Sequence, residues 1–472
     1  MMKFTELRTW LTHLQTTDRI AVIKKGCDLK HRLPAIAKIL DGEKATYFQN
    51  PQGFDMPVIS GFMSKRSWIA EAMGVSEEEL LPTFRKAAEN PIPFHDIGNS
   101  SAPCQEIVIQ NPDLHKLLPI PTHSEHDYGP YITAGLVIAR NPSTGKQNVS
   151  INRIQLHPTG RLGILMLPRH LFAFFKQAEK NNQALDVAIV IGVDPLTLLA
   201  SQAIAPLDHD ELEIAGALHG KALDVVKCKN SEIRVPANAE IVIEGKILPH
   251  ERELEGPFGE FPKYYSARES REVIQVDLLT HRQDPIYHTI IPAEMEHLLL
   301  GAIPRESTLL SHLQRSFQGV LDVHLSIGGV ARYHLYVKLK KSHEGQPKNV
   351  IMAAFGAHYD IKQVIVVDED VDVHQPQQVE WAVATRFQAH RDLLIIEGAQ
   401  GSILDPSTTV EWMKEGGELV PPYQQGLSSK MGLDATRPMN YQEHVFTRVK
   451  IPGEDTIDVR NEIEADIKVS FN

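Results

Sequence analysis

Two glutamates five positions apart, in Glu255-Gly-Pro-Phe-Gly-Glu260, are the residues whose types and spacing best suit chemistry in this chain. The glycines and proline between them let the backbone turn tightly enough to aim both carboxyls at one cavity. Paired carboxyls suit acid and base work. One held against an arginine stays ionised, while a neighbour in a drier place has its pKa raised and can hold a proton to deliver. The same residues also read as a turn with two solvated acids, and their types alone do not separate the two readings.

Other chemistries are poorly served. The dinucleotide fingerprint GxGxxG, the phosphate loop GxxxxGK[ST], the nucleophile elbow GxSxG and the helical zinc motif HExxH are absent from the sequence. The acidic run Asp368, Glu369, Asp370 and Asp372 could chelate a hard cation, or simply begin a solvated loop after a buried strand. The 22 histidines are mostly scattered singly, as surface or packed residues usually are. Cys27, Cys104 and Cys228 lie too far apart for a disulfide framework or a zinc site, which fits a reducing cytoplasm. With 48 Lys plus Arg against 60 Asp plus Glu, the net charge of −12 repels a phosphate backbone, and no basic stripe offsets it.

The elements that must position the two acids follow from length and pattern. A chain of 472 residues exceeds one hydrophobic core, and its 42% hydrophobic content suffices for two or three. Phe4, Leu7, Trp10, Leu11 and Leu14 have the spacing of an amphipathic helix rather than of a signal peptide. The most apolar stretch, Leu185 to Leu207, is interrupted by Asp186, Asp194 and Pro195, so it does not read as a membrane span.

The spacing predicts an N-terminal α/β domain over residues 1–115. A central β domain over 116–297 has strands within 132–140, 147–156, 160–168, 186–193, 239–248 and 271–279. Helices are expected at 171–181 and 195–204, the second opening with Pro195 after Asp194. Residues 298–440 alternate strand and helix: 333–340, then 364–373, then a helix over 375–388, then 392–398. Strand, helix, strand at this spacing predicts a parallel βαβ unit and an α/β domain. Residues 441–472 read as a tail helix or arm.

The loop at 255–260, preceded by Ala239-Glu-Ile-Val-Ile-Glu-Gly245, resembles the UbiD family of prenylated-FMN-dependent decarboxylases. Asn148-Val-Ser-Ile-Asn-Arg153, Pro168-Arg-His170, Glu211-Leu-Glu-Ile-Ala-Gly-Ala217 and Ser429-Lys-Met-Gly-Leu-Asp-Ala-Thr436 follow the family's order at close to its spacing. The resemblance implies a central flavin-binding split β-barrel and a catalytic trio of Arg153, Glu255 and Glu260. Arg153 would hold a carboxylate through a bidentate contact that lysine cannot copy. Glu260 would protonate the carbon that carbon dioxide has left.

The resemblance further implies that Asn148, His170 and Glu211 ligate Mn2+ or Mg2+, a mixed set suited to octahedral geometry. Ser150, Ile151, Asn152, Arg153, Leu167, Pro168, Arg169, Ser201 and Lys430 would contact the flavin, with Lys430 on its phosphate. Ala200, Ser201 and Glu211 would surround K+. The metal set comes from the resemblance alone, since gaps of 22 and 41 residues define no compact motif. Glu213, two residues from Glu211, would point the same way if the segment were a strand.

Residues 292–305 are similar to a subgroup acting on five-membered heteroaromatic acids, furan-2,5-dicarboxylate and pyrrole-2-carboxylate among them. There His297 and Arg305, eight apart, would meet the far carboxylate as a pair of cations, unless Arg305 caps or pairs within the C-terminal domain. Hydroxybenzoates such as protocatechuate, gallate or 4-hydroxybenzoate are the alternative substrates. A scaffold that had lost the chemistry would have a broken trio, and a hydrolase would need a nucleophile with a recognisable base. The resemblance also implies a homodimer or larger homo-oligomer and a flavin prenyltransferase as cofactor supplier.

Overall fold

The computed structural model describes residues 3–98, 102–410 and 426–463. Its centre is a nine-stranded antiparallel sheet. In sheet order the strands are Tyr131–Ile132, Ile154–Leu156, Leu162–Ile164, Glu269–His281, Ile241–Glu255, Leu185–Ile191, Leu136–Arg140 and Gln147–Ile151, with Ile107–Gln110 also pairing on Glu269–His281. The first and last strands of this order do not pair, so the sheet is a half-barrel left open along one seam.

Side chains alternate across a strand, and here both faces are covered. Val187, Ile189 and Ile191 enter one core with Leu171, Phe174 and Phe175 of the helix His170–Lys180. Ala188 and Val190 enter the other, with Leu198 and Leu199 of Pro195–Ala200 and Leu212 and Ala215 of Glu211–His219. Burial on both faces is why this strand reads as an unbroken apolar run. Asp194 starts its helix as expected, accepting from the amides of Leu196 and Thr197 at 3.0 Å each.

The N-terminal unit packs Leu7–Thr16, through Leu7, Trp10, Leu11 and Leu14, against a sheet of Ile20–Ile23, Ala45–Phe48 and Val58–Ser60, which Tyr287–His288 completes. In the C-terminal unit the sheet order is Val320–Leu325, His334–Leu339, Gln363–Asp368, Leu427–Ala435, Leu393–Gln400. A parallel βαβ unit is present, but one step earlier than the spacing suggested: His334–Leu339, helix Gln346–Ala357, Gln363–Asp368. Leu393–Gln400 runs antiparallel at the edge, because the more deeply buried Leu427–Ala435 takes the inner place beside Gln363–Asp368. The tail is an arm with short helical turns at Glu443–Phe446, Glu454–Thr456 and Val459–Asn461, and residues 464–472 lie outside the described residues.

The acidic run after Gln363–Asp368 meets arginines. Arg386 bonds Asp368 at 2.6 Å and Asp370 at 2.8 Å, with Arg437 and Arg448 each 3.3 Å from one of these acids. Asp372 turns back to the amide of His374. These acids tie the end of the sheet's middle strand to the helix Pro376–Arg386 and, through Arg448, to the arm.

Joining the units is a 22-residue helix, Met295–Ser316, which periodicity did not announce. Residues Leu298 to Ser307 are all buried, so no polar stripe alternates with an apolar one, and Pro304 interrupts the helical pattern. The Asp41 carboxylate accepts from the Met295 amide, and Glu296 accepts from the amides of Gly61 and Met63. Toward the C-terminal unit, the buried Glu306 receives Arg66 at 2.5 Å, His324 at 2.9 Å and the Leu325 amide at 2.8 Å. Burial pushes the Glu306 carboxyl up, but Arg66 and His324 outweigh it and hold it at about 2, against an ordinary 4.5.

A carboxyl depressed on folding adds stability that is complete above its unfolded pKa and fades as pH falls toward the folded one. Glu306→Gln is therefore expected to cost about 3–5 kcal/mol at neutral pH, as breaking a buried pair does. The gap in melting temperature between wild type and variant should narrow from pH 4.5 down to about 2. A gap that stays constant over that window contradicts the assignment.

Candidate active site

Arg153 owes its place to the open seam. The strands on either side of it, Gln147–Ile151 and Ile154–Leu156, lie toward opposite ends of the sheet order, so Asn152 and Arg153 cross the mouth of the half-barrel. The two acids come from the long hairpin Ile241–Glu255 and Glu269–His281, whose pairing closes at Glu255 opposite Glu269. The loop beyond it needs Gly256, at φ +90°, where an added Cβ would stand 2.5 Å from the carbonyl of Ala267.

The guanidinium of Arg153 binds both acids. It takes Glu255 in a fork, 3.1 Å from Nε and 2.7 Å from Nη2, and donates from Nη1 to Glu260. Burial lowers the Arg153 pKa, but the charges of Glu260 and Glu255 outweigh it and raise the group above its usual value. The expected division, one acid on the arginine and the other apart, is thus corrected: a single guanidinium reaches both. Access divides them instead. Glu255 is sealed, 0% exposed, under the Tyr131 hydroxyl at 3.1 Å, whereas Glu260 lines the cavity. The sequence reading missed Tyr131 and Gln155, which ties the Tyr131 hydroxyl to the Gly256 amide.

The cavity has a volume of about 370 Å3. Ile151, Asn152, Arg153, Leu167, Pro168 and Arg169 line it, as do Phe258, Phe261, Ile290 and Leu404. Apolar and aromatic walls with a few converging charges suit a planar ring system. Ser150, Ser201 and Lys430 are not among the lining residues. The Ser150 hydroxyl bonds Asn152 at 3.0 Å, and Ser201 bonds the carbonyl of Leu198 at 2.7 Å. Lys430 spends its ammonium on the carbonyls of Tyr359 and Ile361, at 2.7 and 2.6 Å, so it braces the loop that lines the cavity.

His170 meets Asn148, and Glu211 meets the following residue's amide, near the start of the strand Gln147–Ile151. His170 Nδ1 is 3.1 Å from Asn148 Oδ1, and the Glu211 carboxylate accepts from the Val149 amide at 2.6 Å. Burial pushes the Glu211 carboxyl up to about 8, against the amides of Val149 and of Glu211 itself, and among the described residues no cationic side chain pairs with it. A buried carboxyl without a cationic partner, bonded to the amide that follows Asn148, fits a divalent ion. Glu211 opens a helix rather than lying on a strand, so Glu213 faces away toward an outer cleft with Asp96 and Arg234.

On the far wall, His297 and Arg305 both face the cavity from the long helix. Burial holds His297 down at about 3, and its Nδ1 accepts from the Ala293 amide at 3.1 Å, which leaves the proton on Nε2. His297 is thus a neutral donor and not the second cation of the expected pair. That cation is Arg332, which no spacing in the sequence marks. It stands over Phe261, and its Nη2 and Arg305 Nη1 are both within contact of a Cβ built on Gly301.

Among the described residues Arg305 bonds only the carbonyl of Gly301, its Nε has no partner, and Arg332 joins no ion pair. The alternative of pairing Arg305 within the C-terminal domain is not realised. Burial first, then Arg332 and Arg169, pull Arg305 well below its ordinary value, with Asp360 opposing. Buried guanidiniums that form no ion pair favour an anionic ligand.

Comparison with known proteins agrees with this geometry. Family models described as the 3-octaprenyl-4-hydroxybenzoate carboxy-lyase N-terminal, Rift-related and C-terminal domains match residues 11–88, 95–295 and 298–435. An anhydromevalonate phosphate decarboxylase of Methanothermobacter thermautotrophicus is 39% identical over 401 residues, 85% of this chain and 90% of that protein. A gallate decarboxylase of Lactiplantibacillus plantarum is 30% identical, covering 84% of this chain and 85% of its own. The UbiD-class enzyme HmfF from Pelotomaculum thermopropionicum, solved in complex with FMN, superimposes with a TM-score of 0.92 at 46% identity, over 97% of this chain and 100% of that one. An evolved dimeric form of HmfF, solved with prFMN, gives 0.88 at 44% identity, again over 97% and 100%. The chain belongs to the UbiD family and is a carboxy-lyase.

Proposed function

We propose that the chain catalyses the reversible, non-oxidative decarboxylation of a five-membered heteroaromatic acid that carries a second anionic group, of the furan-2,5-dicarboxylate type, with prenylated FMN in the cavity. The observation that carries this reading is one cavity lined both by Arg153 and Glu260, with Glu255 behind them, and by Arg305 and Arg332, two buried guanidiniums that form no ion pair among the described residues. When bound, the modified flavin supplies the electron sink that loss of carbon dioxide from an sp2 carbon requires. The protein's residues do the rest. Arg305, Arg332 and the Nε2 hydrogen of His297 hold the far carboxylate and so aim the near one at Glu260. Phe258, Phe261 and Leu404 keep water away. Arg153, fixed by Glu255, positions Glu260 to deliver one proton to the carbon.

Asn148, His170 and Glu211 would hold Mn2+ or Mg2+ on the flavin phosphate, and Ala200, Ser201 and Glu211 would take K+. The lack of a cationic partner at buried Glu211 supports the divalent site. FMN and prFMN in the HmfF structures support the cofactor, which a flavin prenyltransferase would supply. The dimeric form of HmfF is in line with a homo-oligomer. No described helix is long and apolar enough to cross a membrane, and the three scattered cysteines, all free, are in keeping with a cytoplasmic setting. A second reading, a phosphate-bearing acid, draws on the anhydromevalonate phosphate decarboxylases and on the same cation corner. A hydroxybenzoate is the reading favoured by the gallate decarboxylase relative.

Two outcomes test the assignment. Glu260→Gln should cut turnover by about 10²-fold or more with the flavin still bound, and undiminished turnover would remove the proton-donor role. His297→Ala combined with Arg305→Ala should lower kcat/KM for furan-2,5-dicarboxylate by about 10²-fold and for furan-2-carboxylate by about threefold or less. Equal losses on both acids would remove the recognition role.

A further inference from the structure

Beside Arg153 the cavity wall carries a hydroxyl whose proton has one favourable direction. Tyr131 pairs with Gln155 and Ile132 with Ile154, and continuing this register by one residue sets Thr133 opposite Arg153. Thr133 lines the cavity. Behind it runs a buried chain: Thr133 Oγ1 lies 3.0 Å from Thr289 Oγ1, which lies 2.9 Å from His123 Nε2. The Ile290 amide donates to Thr133 Oγ1 at 3.1 Å. His123 Nδ1 is buried without a partner, and burial holds the ring at about 3, so it is neutral.

A neutral ring allows two directions for the chain. If Thr133 donates to Thr289 and Thr289 to His123 Nε2, the ring proton sits on Nδ1 as a buried N–H with nothing to accept it. If His123 Nε2–H donates to Thr289 and Thr289 to Thr133, Nδ1 keeps only a bare lone pair. Orphaned buried N–H groups are rarer and costlier than unsatisfied acceptors, so the second direction prevails. With Thr289 donating onward, Thr133 accepts from both Thr289 and the Ile290 amide, and its own proton is left free to point into the cavity.

We propose that His123 and Thr289 are positioning residues that fix the hydroxyl of Thr133 as a hydrogen-bond donor into the active-site cavity, toward an acceptor oxygen or nitrogen of the bound flavin or of the substrate carboxylate. The inference rests on the cavity being the ligand site, as proposed above. It adds a directed neutral donor beside the charged trio, and two residues outside the cavity lining that decide its direction.

The test uses the full chain with FMN as probe, and the enzyme co-produced with a flavin prenyltransferase for kinetics. Thr133→Val should weaken FMN binding about fivefold to tenfold if the flavin is the acceptor, or lower kcat/KM by that factor at unchanged FMN affinity if the carboxylate is. Thr133→Ser should restore the affected quantity. Thr289→Val and His123→Leu should each lower that same quantity, and the Thr133→Val, Thr289→Val double variant should be no worse than Thr133→Val alone. Losses that multiply in the double variant would overturn the relay, as would a Thr133→Val variant unchanged in both quantities. Nitrogen NMR of 15N-histidine-labelled, FMN-loaded protein needs no substrate and reads the direction itself, with the His123 signals assigned by their loss in His123→Leu. A protonated Nε2 with bare Nδ1 is expected, and a protonated Nδ1 would overturn the proposal even if the acid turned over has been misjudged.

Discussion

The guanidinium of Arg153, shared between Glu255 and Glu260, is the contact on which the site depends. Glu255 has no water to fall back on, so removing Arg153 leaves it an uncompensated buried charge. The constraint reaches outward. The open seam of the half-barrel lets residues 152–153 cross its mouth, and the hairpin of 241–281 must extend past the core to bring its tip back under Tyr131. Phe258 stacks on Tyr131 with ring centroids 4.4 Å apart and lies beneath Arg153, so the loop between the two acids also closes the wall.

The helix Met295–Ser316 supplies the opposite pole. It is held to the N-terminal unit through Asp41 and Glu296 and to the C-terminal sheet through Glu306, which places Arg305 against Arg332 with little freedom to turn away. The cavity thus holds Arg305 and Arg332 as cations without an ion pair as well as the Arg153–Glu260 pair. An acid with anionic groups at both ends of a short ring can satisfy the cations with one group and present the other to Glu260, an orientation that a monoacid does not enforce.

The fold was legible where local pattern decides it. The central strands follow two-fold alternation or short β-branched runs, and Asp194-Pro195 marks a helix start because a carboxylate there satisfies free amides. The loop of 255–260 was legible through its glycines, since Gly256 needs a conformation other residues resist. Long-range packing hid the rest. Met295–Ser316 has no polar face to set a period, and Leu393–Gln400 was displaced to the edge by a strand that comes later in the chain. Asn148, His170 and Glu211 were found only through family resemblance, because the strand and two helices that carry them meet only in the folded chain. His297 was found but its charge was not, because its neutrality comes from the Ala293 amide and from burial. Arg332 and Thr133 have no signal in their neighbours at all.

The most direct measurement is carbon dioxide release by the purified protein, co-produced with a flavin prenyltransferase, from furan-2,5-dicarboxylate, furan-2-carboxylate, pyrrole-2-carboxylate, protocatechuate and 4-hydroxybenzoate. The account predicts release from furan-2,5-dicarboxylate with a kcat/KM about tenfold or more above furan-2-carboxylate, the difference that one paired anion contributes. Release from the benzoates alone, or equal rates on the furan mono- and dicarboxylates, would contradict it.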